Sequence, residues 1–503
     1  MAKKKLTSVS LRSLLPFDCD EASVLDVQIS GVQSDSRHVR KGDLFLAFPG
    51  AAVDGRDFID SAFEKGAVAV LAEASPEQDS NYLGTEKGPI LYCENLKREA
   101  GRIASKFHGD PSSSMLCIAV TGTNGKTSVT QIVASALELK GRKSAVIGTL
   151  GNGLVGQLEP TKNTTPGAVE LQALLSRFVA QGVDVLAMEA SSHGLEQGRL
   201  EGVQIDVAIV TNLTRDHLDF HGSMEHYLAA KSRLAYWPEL KTLVLNRDDE
   251  AVWAMRSRML DRTRLMSFSL KNSDADIFAR EVAYSSLGVS ISVEYAGESV
   301  VFESPLLGEF NVYNLLASLS VLLLEQIPLQ EAAQLLSQIR PVPGRMEEVT
   351  LDTRNTGLPL VVVDYAHTPD ALEQVLKALR KHCKGNLWCV FGCGGDRDKG
   401  KRPLMGEIAA KLADKLIITS DNPRSEAVLK IIEDIEDGIA MGAPYLVELD
   451  RSVAISKAVD AAIAGDVVLL AGKGHENYQE VAGKKIPFSD IDVVRAALLK
   501  RCA

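Results

Sequence analysis

An apolar run that leads through a glycine loop into a helical segment constrains the fold of this chain more than any other stretch. Residues 115–120 read as a buried strand, and residues 129–140 read as a helix. A strand, a glycine loop and a helix in this order hold a nucleotide polyphosphate, because backbone N–H groups and the helix N-terminus face the anion. Lys126 adds charge, and the Thr127 hydroxyl can ligate Mg²⁺. We therefore predict binding of ATP or GTP by Gly122, Thr123, Asn124, Gly125, Lys126, Thr127 and Ser128.

The loop departs from the standard Walker A pattern. That pattern has a glycine five residues before the glycine of the Gly-Lys pair, and Val120 stands there. Only Gly122 and Gly125 frame the loop. The alternative is an ordinary strand-to-helix turn with a chance Gly-Lys-Thr. The flanking strand and helix favour nucleotide binding over a chance turn.

Length and composition limit the class of protein. A chain of 503 residues is too long for one ordinary core, so two to four domains are expected. Its net charge of −11 argues against an extended nucleic-acid surface. No window has the length of a membrane span, and no apolar core follows the basic residues 3–5 as in a secretory signal.

The cysteines point to a reducing compartment. Seven are scattered along the chain, which suits the cytoplasm, where the protein is expected to act. Cys389 and Cys393 lie close together, but no second pair completes a zinc site. They are expected to be strand and loop residues.

The hydrophobic pattern predicts three α/β domains over residues 1–110, 111–340 and 341–503. In the central domain, helical patterns between β-like runs favour a mostly parallel sheet covered by helices. The C-terminal domain reads as an open, Rossmann-like sheet. The predicted strands are 43–48 and 67–72 in the first domain, 144–148, 183–188 and 207–210 in the second, and 359–364, 386–391, 414–419 and 466–471 in the third. Amphipathic segments at 370–381 and 425–439 are predicted helices.

Each predicted strand of the C-terminal domain ends in a polar cluster. Ligands of doubly wound sheets lie beyond the carboxyl ends of the strands, so four such clusters predict a binding cleft there. The alternative is that these residues only cap helices and form turns. The clusters are Asp364-Tyr365-Ala366-His367, residues 392–397, Asp421-Asn422-Pro423-Arg424 and Gly472-Lys473-Gly474-His475-Glu476.

Three side chains of the central domain could serve the nucleotide. Glu189 and His217 follow apolar strands on the edge that carries the glycine loop, so they could hold a divalent ion. Spacing alone leaves capping or pairing equally open. Lys231 lies in a predicted helix, and by itself it reads as a solvated surface lysine.

Several motifs together resemble the Mur ligases. Residues 121–128, 212–217 and 227–231 are similar to motifs of the Mur ligases and of their folylpolyglutamate synthase relatives. Further motifs resemble the members that add the third residue of the bacterial wall peptide. They are Asn163-Thr164-Thr165-Pro166, residues 189–195, residues 364–369 and Asp421-Asn422-Pro423-Arg424. The resemblance covers nearly the whole chain in the expected order.

The resemblance implies a reaction. It is the ATP- and Mg²⁺-dependent joining of meso-2,6-diaminopimelate to UDP-MurNAc-L-Ala-D-Glu through an acyl phosphate, in peptidoglycan precursor synthesis, by a cytoplasmic monomer. The first domain would bind the UDP end. A further implication is domain closure on ATP, which the second and third domains share in the family.

The resemblance also assigns residues. Lys126, Lys231, His217 and Arg345 would be catalytic, with Lys231 carboxylated by CO₂, and Thr127, Glu189 and His217 would hold the metal. Asn311, Asn314, Arg345 and Asp364 would meet ATP. The sugar-peptide substrate would meet Ser36, Asn163, Thr164, Thr165, Ser191, Gln197 and Arg199. Diaminopimelate would meet Arg397, Asp421, Asn422, Pro423, Arg424, Gly472 and Glu476. Ala51 stands where the family often has a histidine, so one UDP contact is expected to be missing or replaced.

Arg424 favours diaminopimelate over lysine as the added amino acid. Diaminopimelate carries a distal carboxylate, which a guanidinium grips bidentately, whereas the distal ammonium of lysine would be repelled. Glu476 can take the distal amino group. The alternative for Arg424 is a surface residue at a helix start. The alternatives for the whole chain are a lysine-adding relative, a folylpolyglutamate synthase-like ligase, and a nucleotide-dependent switch without ligation chemistry.

Overall fold

The computed structural model describes residues 8–17, 26–50, 53–75, 82–285, 288–351 and 357–502. The chain divides into two compact units, Met1–Asp276 with Ala317–Gln326 and Ile277–Leu316 with Ile327–Ala503. Within the described ranges, no helix is both long and apolar enough to cross a membrane.

The first unit begins with a five-stranded sheet of order β3-β4-β5-β7-β6. Its strands run parallel except β6, which pairs antiparallel with β7. The N-terminal strands are β1 (Val9–Ser10), β2 (Gln28–Ile29), β3 (Gly31–Gln33), β4 (Asp43–Ala47), β5 (Ala69–Glu73), β6 (Tyr82–Thr85) and β7 (Gly88–Cys93). The helices are α1 (Leu11–Leu14), α2 (Ile59–Glu64) and α3 (Leu96–Phe107).

A second sheet of the first unit carries the glycine loop. Its strands are β8 (Leu116–Thr121), β9 (Ser144–Gly148), β10 (Gly151–Leu154), β11 (Gln157–Glu159), β12 (Val185–Glu189), β13 (Val207–Val210), β14 (Thr242–Asn246) and β15 (Arg264–Ser269). The order is β11-β10-β9-β12-β8-β13-β14-β15. Strands β9, β12, β8, β13, β14 and β15 run parallel, which confirms the mostly parallel sheet.

Helices cover this second sheet. They are α4 (Lys126–Leu139), α5 (Ala168–Ala180), α6 (Ser192–Glu196), α7 (Leu218–His221), α8 (Met224–Ser232) and α9 (Glu250–Ala254). The N-terminal part packs directly on the central part through α3. A Cβ on Gly101 would lie 2.1 Å from the Glu201 carbonyl oxygen, so only glycine allows this approach. Arg102 Nη2 also lies 3.1 Å from Glu201 Oε2.

The second unit contains an antiparallel ladder of β16 (Ile277–Ser285), β17 (Gly288–Tyr295) and β18 (Glu298–Ser304). Its other sheet has the order β19-β20-β24-β21-β22-β23, with β19 antiparallel and the others parallel. The strands are β19 (Glu347–Glu348), β20 (Leu360–Asp364), β21 (Leu387–Phe391), β22 (Lys415–Ile418), β23 (Leu446–Val447) and β24 (Val467–Ala471), followed by the hairpin β25 (Tyr478–Val481) and β26 (Lys484–Pro487).

Alternation along these parallel strands explains the layered core. In β20, Val362 packs in one apolar cluster, whereas Val361 and Val363 pack in another. Both faces are therefore covered by helices, as expected for a parallel sheet of continuous apolar strands. The remaining helices are α10 (Glu309–Leu324), α11 (Leu329–Ser337), α12 (Pro369–Arg380), α13 (Lys401–Leu412), α14 (Val428–Glu436), α15 (Arg451–Ala461) and α16 (Asp490–Cys502).

Cys389 and Cys393 take the places that the sequence predicts. Cys389 lies within β21 and Cys393 in the loop after it, and both side chains are buried. Burial raises the pKa of each thiol to about 12. Both are therefore neutral packing residues.

Candidate active site

The glycine loop follows β8, which lies between β12 and β13. Gly122 has φ +149°, and a Cβ there would lie 1.9 Å from Thr211 Oγ1. Gly125, with φ +86°, ends the loop, and α4 begins at Lys126. The predicted strand, loop and helix are confirmed. Both glycines occupy conformations that residues with a Cβ rarely adopt.

The segment after β13 fixes the shape of this loop. Asn212 Oδ1 accepts from the Asn124 N–H at 2.8 Å, and the Asn212 carbonyl accepts from the Thr123 N–H at 3.0 Å. Thr123 Oγ1 in turn accepts from the Thr214 N–H at 2.9 Å. The sequence identified 212–217 as a motif, but it did not indicate that Asn212 orders the loop.

Two lysine ammonium groups meet at one loop carbonyl. Lys126 Nζ and Lys231 Nζ each donate to the Gly122 oxygen at 2.8 Å. The Lys231 side chain also lies against the Tyr227 ring, 4.5 Å from its centroid, and is 1% exposed. Burial, followed by the repulsion from Lys126, holds the pKa of Lys231 well below its usual range. The interpretation of Lys231 as a solvated surface lysine is therefore wrong.

Glu189 forms a buried oxygen cluster beside the loop. One carboxylate oxygen accepts from Thr127 Oγ1 at 3.0 Å and from the Thr149 N–H at 2.8 Å. The other accepts from Thr149 Oγ1 at 3.2 Å. This position follows from the register, since Glu189 pairs with Val120 at the end of β8. The hydroxyl and the carboxylate supply the oxygen ligands that Mg²⁺ prefers.

His217 lies just before α7 in a left-handed conformation, with φ +52°. Its ring packs edge-on against His193, with centroids 4.9 Å apart, and its Nε2 lies 3.3 Å from Asp216 Oδ2. In the described part of the chain, no three His, Cys, Asp or Glu side chains form a group that could hold a metal ion. A metal bound here would therefore depend on other oxygen ligands, including phosphates.

Most residues assigned to the sugar-peptide substrate lie close together. Thr165 Oγ1 lies 3.0 Å from Ser191 Oγ, and Thr164 Oγ1 lies 3.0 Å from Thr149 Oγ1. Arg199 Nη1 donates to the Thr165 carbonyl at 2.7 Å. The same guanidinium donates through Nη2 to Gln197 Oε1, also at 2.7 Å. Asn163 is exposed at the start of this segment.

Ser36 lies apart from this cluster in the N-terminal sheet region. It is 9% exposed, and its carbonyl accepts from Lys65 Nζ at 2.9 Å. Ala51, the predicted departure from the family pattern, lies outside the described residues.

Hydrogen bonds hold the residues of the second unit that are predicted to meet ATP. Asn314 Nδ2 donates to Asn311 Oδ1 at 2.9 Å at the start of α10. The two Asp364 oxygens accept from the Met346 N–H at 2.7 Å and the Ala366 N–H at 2.8 Å. The carboxylate therefore ties two loops together. Burial, opposed by the charge of Arg345, raises the pKa of Asp364.

Arg345 reaches the same loops. Its guanidinium lies over the Tyr365 ring, 4.9 Å from the centroid. Its Nε is buried and has no hydrogen-bond partner among the residues that the structure describes. Gly344 permits this arrangement, because a Cβ there would lie 2.1 Å from the backbone nitrogen of His475.

The polar clusters after β22 and β24 form one network. Asn422 Nδ2 donates to Glu476 Oε2 at 2.7 Å. Lys473 Nζ donates to Asn422 Oδ1 at 3.1 Å and to Glu476 Oε2 at 3.2 Å. Gly472 lies beside Asp421, since a Cβ on the glycine would be 2.6 Å from Asp421 Oδ2. That oxygen is buried, and in the described part of the chain it has no hydrogen-bond partner. The sequence marked Gly472 and Glu476 but gave no role to Lys473.

Arg424 is held from two sides. Its Nη1 donates to the Gly395 carbonyl at 2.7 Å, and its Nε lies 3.3 Å from Glu480 Oε2. The residue has φ +52°, and α14 begins only at Val428. The helix-start alternative for Arg424 is therefore wrong.

Arg397 and Arg424 flank Gly394. A Cβ on Gly394 would lie 2.9 Å from Arg424 Nη1 and 3.8 Å from Arg397 Cγ. The Arg397 side chain is exposed. The two arginines therefore offer positive charge beside the Asn422–Glu476 network, and sequence reasoning missed that Glu480 pairs with one of them.

The matches to family models cover most of the chain. Residues 28–108 match the Mur ligase family catalytic domain, residues 120–322 match the Mur ligase middle domain, and residues 344–474 match the Mur ligase glutamate ligase domain. The chain belongs to the Mur ligase family and has its three-domain α/β fold.

Particular relatives share one name, UDP-N-acetylmuramoyl-L-alanyl-D-glutamate–2,6-diaminopimelate ligase. The protein of that name from Coxiella burnetii (strain RSA 493 / Nine Mile phase I) is 46% identical over 483 residues, which are 95% of this chain and 97% of that protein. The one from Neisseria meningitidis serogroup A / serotype 4A is 47% identical over 476 residues, which are 93% and 95%. A solved structure of a ligase of this name is 38% identical with a TM-score of 0.76, covering 99% of this chain and all of that one.

Proposed function

We propose that this chain is an ATP-dependent ligase that joins meso-2,6-diaminopimelate to the D-glutamate carboxyl of UDP-MurNAc-L-Ala-D-Glu in peptidoglycan precursor synthesis. The observation that carries the choice of amino acid is the cluster of Arg424, Asn422 and Glu476 in a Mur ligase. It offers a guanidinium and an amide for a distal carboxylate, and a carboxylate for a distal ammonium. The shared name of the relatives supports the same choice.

The reaction has two steps. An oxygen of the D-glutamate carboxylate attacks the γ-phosphorus of ATP, the bond to ADP breaks, and an acyl phosphate forms. The amino group of diaminopimelate then attacks the acyl carbon, phosphate leaves, and the nitrogen loses a proton as the amide forms. Lys126, held on two loop carbonyls at 2.8 Å, offsets the charge that develops during phosphoryl transfer. Water must be excluded, because an acyl phosphate hydrolyses.

Thr127, Glu189 and His217 would hold Mg²⁺. The separation of 3.0 Å between the Thr127 and Glu189 oxygens and the burial of Glu189 suit a small hard cation that also takes phosphate oxygens. Bound there, the ion would neutralise charge on the transferred phosphoryl group. ATP would contact Asn311, Asn314, Arg345 and Asp364. The sugar-peptide substrate would contact Ser36 and the cluster that contains Thr165 and Arg199.

Lys231 would act as a carbamate. CO₂ reacts with a neutral amine, and the burial that lowers the pKa of Lys231 favours this neutral form. Carboxylation would place an oxygen-donor anion beside Lys126, and this anion would support Mg²⁺ beside the phosphates.

Carbon-13 NMR with ¹³C-bicarbonate tests this modification. We expect a carbamate signal in the wild-type protein that is absent in Lys231→Ala. Fully active protein without that signal at neutral pH would contradict the carbamate.

A phosphate-release assay tests the proposed function as a whole. With UDP-MurNAc-L-Ala-D-Glu and ATP present, phosphate release should depend on meso-diaminopimelate. Equal release with L-lysine would point to a lysine-adding or unselective ligase. Nucleotide binding without release under any condition would point to a switch without ligation chemistry.

A further inference from the structure

A fully buried lysine, Lys473, links two of the residues assigned to diaminopimelate, Asn422 and Glu476. Lys473 is 0% exposed, whereas the Glu476 side chain that it contacts is 18% exposed. Its ammonium donates to Asn422 Oδ1 at 3.1 Å and to Glu476 Oε2 at 3.2 Å. Because a ligand could not reach it, Lys473 would act through its two neighbours.

The hydrogen bonds around Asn422 determine the orientation of its side-chain amide. Oδ1 accepts from Lys473 Nζ and from the Glu480 N–H, the latter at 2.9 Å. Nδ2 donates to Glu476 Oε2 at 2.7 Å. A flipped amide would turn its NH₂ group toward two donors, so this network permits one orientation.

This orientation of the amide determines which polar groups remain for a ligand. With Nδ2 toward Glu476, the second hydrogen of the same NH₂ remains a donor for a carboxylate. Glu476 Oε2 is engaged by Lys473 and Asn422, which leaves Oε1 to face a ligand ammonium. The ammonium of Lys473 also offsets the repulsion between the negative charges of Glu476 and Asp421.

We propose that Lys473 is a positioning residue for diaminopimelate, which fixes Asn422 as a carboxylate donor and Glu476 as an ammonium acceptor. The proposal rests on the proposed function, because it concerns the amino acid subsite of that reaction. It predicts that loss of the ammonium weakens diaminopimelate binding and leaves ATP use nearly unchanged.

The matched control is Lys485. Both lysines lie near the Tyr478 ring, with Lys473 Nζ 5.7 Å and Lys485 Nζ 4.0 Å from its centroid. Lys485, however, is exposed on the β25–β26 hairpin. Lys485→Met should leave both Michaelis constants at the wild-type values.

Kinetics of Lys473→Met, Glu476→Gln and the double variant test the proposal. Each single change removes a hydrogen bond to a charged group, and the lost free energy should raise the diaminopimelate KM about 10- to 100-fold. The ATP KM should change much less. If Lys473 acts through Glu476, the double variant should be little worse than the poorer single variant.

Three results would overturn the proposal. The first is an unchanged diaminopimelate KM in Lys473→Met, and the second is an equal rise in the ATP KM of that variant. The third is a rise in the diaminopimelate KM of the double variant that equals the product of the two single rises. If Lys473→Met fails to fold, Lys473→Gln decides, since it keeps a donor to Asn422 but loses the charge, and it should show a smaller rise in the same KM. A wild-type protein inactive with diaminopimelate would instead refute the proposed function.

Discussion

Replacing Arg424 tests the amino acid specificity most sharply. The guanidinium is 21% exposed and is held by the Gly395 carbonyl and by Glu480. Glu480 lies at Nε, so a ligand carboxylate would meet the end formed by Nη1 and Nη2. Arg424→Ala removes that end and leaves the Glu480 carboxylate unbalanced beside the ligand.

The size of the effect follows from these contacts. Truncating one partner of a buried charge pair costs about 2–5 kcal/mol, and the partial exposure of Arg424 places it at the lower end, about 2–3 kcal/mol. That corresponds to a rise of about 30- to 150-fold in the diaminopimelate KM. Arg424→Lys keeps the charge but loses the planar fork, so its KM should be intermediate.

Steady-state phosphate release, with diaminopimelate and ATP varied separately, measures both constants. Arg380→Ala is the matched control, because Arg380 pairs with Asp414 at 2.8 Å elsewhere in the second unit. It should behave as wild type. A similar rise in the ATP KM of Arg424→Ala, or an unchanged diaminopimelate KM, would refute the specificity role.

Three further changes test the stability and metal arguments. Asp490→Ala leaves the fully buried Arg451 without its carboxylate partner and should lower the free energy of unfolding by about 3–5 kcal/mol in urea titrations; a loss under about 1 kcal/mol would contradict the buried pair. Gly344→Ala, whose Cβ would lie 2.1 Å from a backbone nitrogen, should lose far more stability than Gly442→Ala, which has open space at a similar positive φ; equal losses would show that φ alone decides. Glu189→Gln should raise the Mg²⁺ concentration needed for half-maximal phosphate release, and an unchanged Mg²⁺ dependence would remove Glu189 from the metal site.

Much of the fold could be read from the sequence because its strands are continuous apolar runs. The predicted strands 359–364 and 466–471 agree within one residue with β20 and β24. The predicted helix at 425–439 begins three residues late, at Val428. Ser425 donates to Asp396, and the Glu426 carboxylate is held by Arg402, so polar contacts keep this stretch out of the helix.

The candidate site was harder to read, because its details depend on contacts distant in the chain. The sequence around Lys231 is typical of a surface lysine. In the structure, however, this α8 residue donates to a carbonyl of the glycine loop. Glu480 lies more than fifty positions from Arg424 in the sequence, and only the β25–β26 hairpin brings the two together. Lys473 stands in a marked cluster, yet its complete burial comes from packing that no local pattern shows.

Competition between two amino acids gives a direct test of the proposed selectivity for diaminopimelate. The protein would receive ATP, Mg²⁺, UDP-MurNAc-L-Ala-D-Glu and equal concentrations of meso-diaminopimelate and L-lysine, and mass spectrometry would measure the two UDP-MurNAc-tripeptide products. We expect the diaminopimelate product to dominate. Equal amounts of the two products, or an excess of the lysine product, would contradict it.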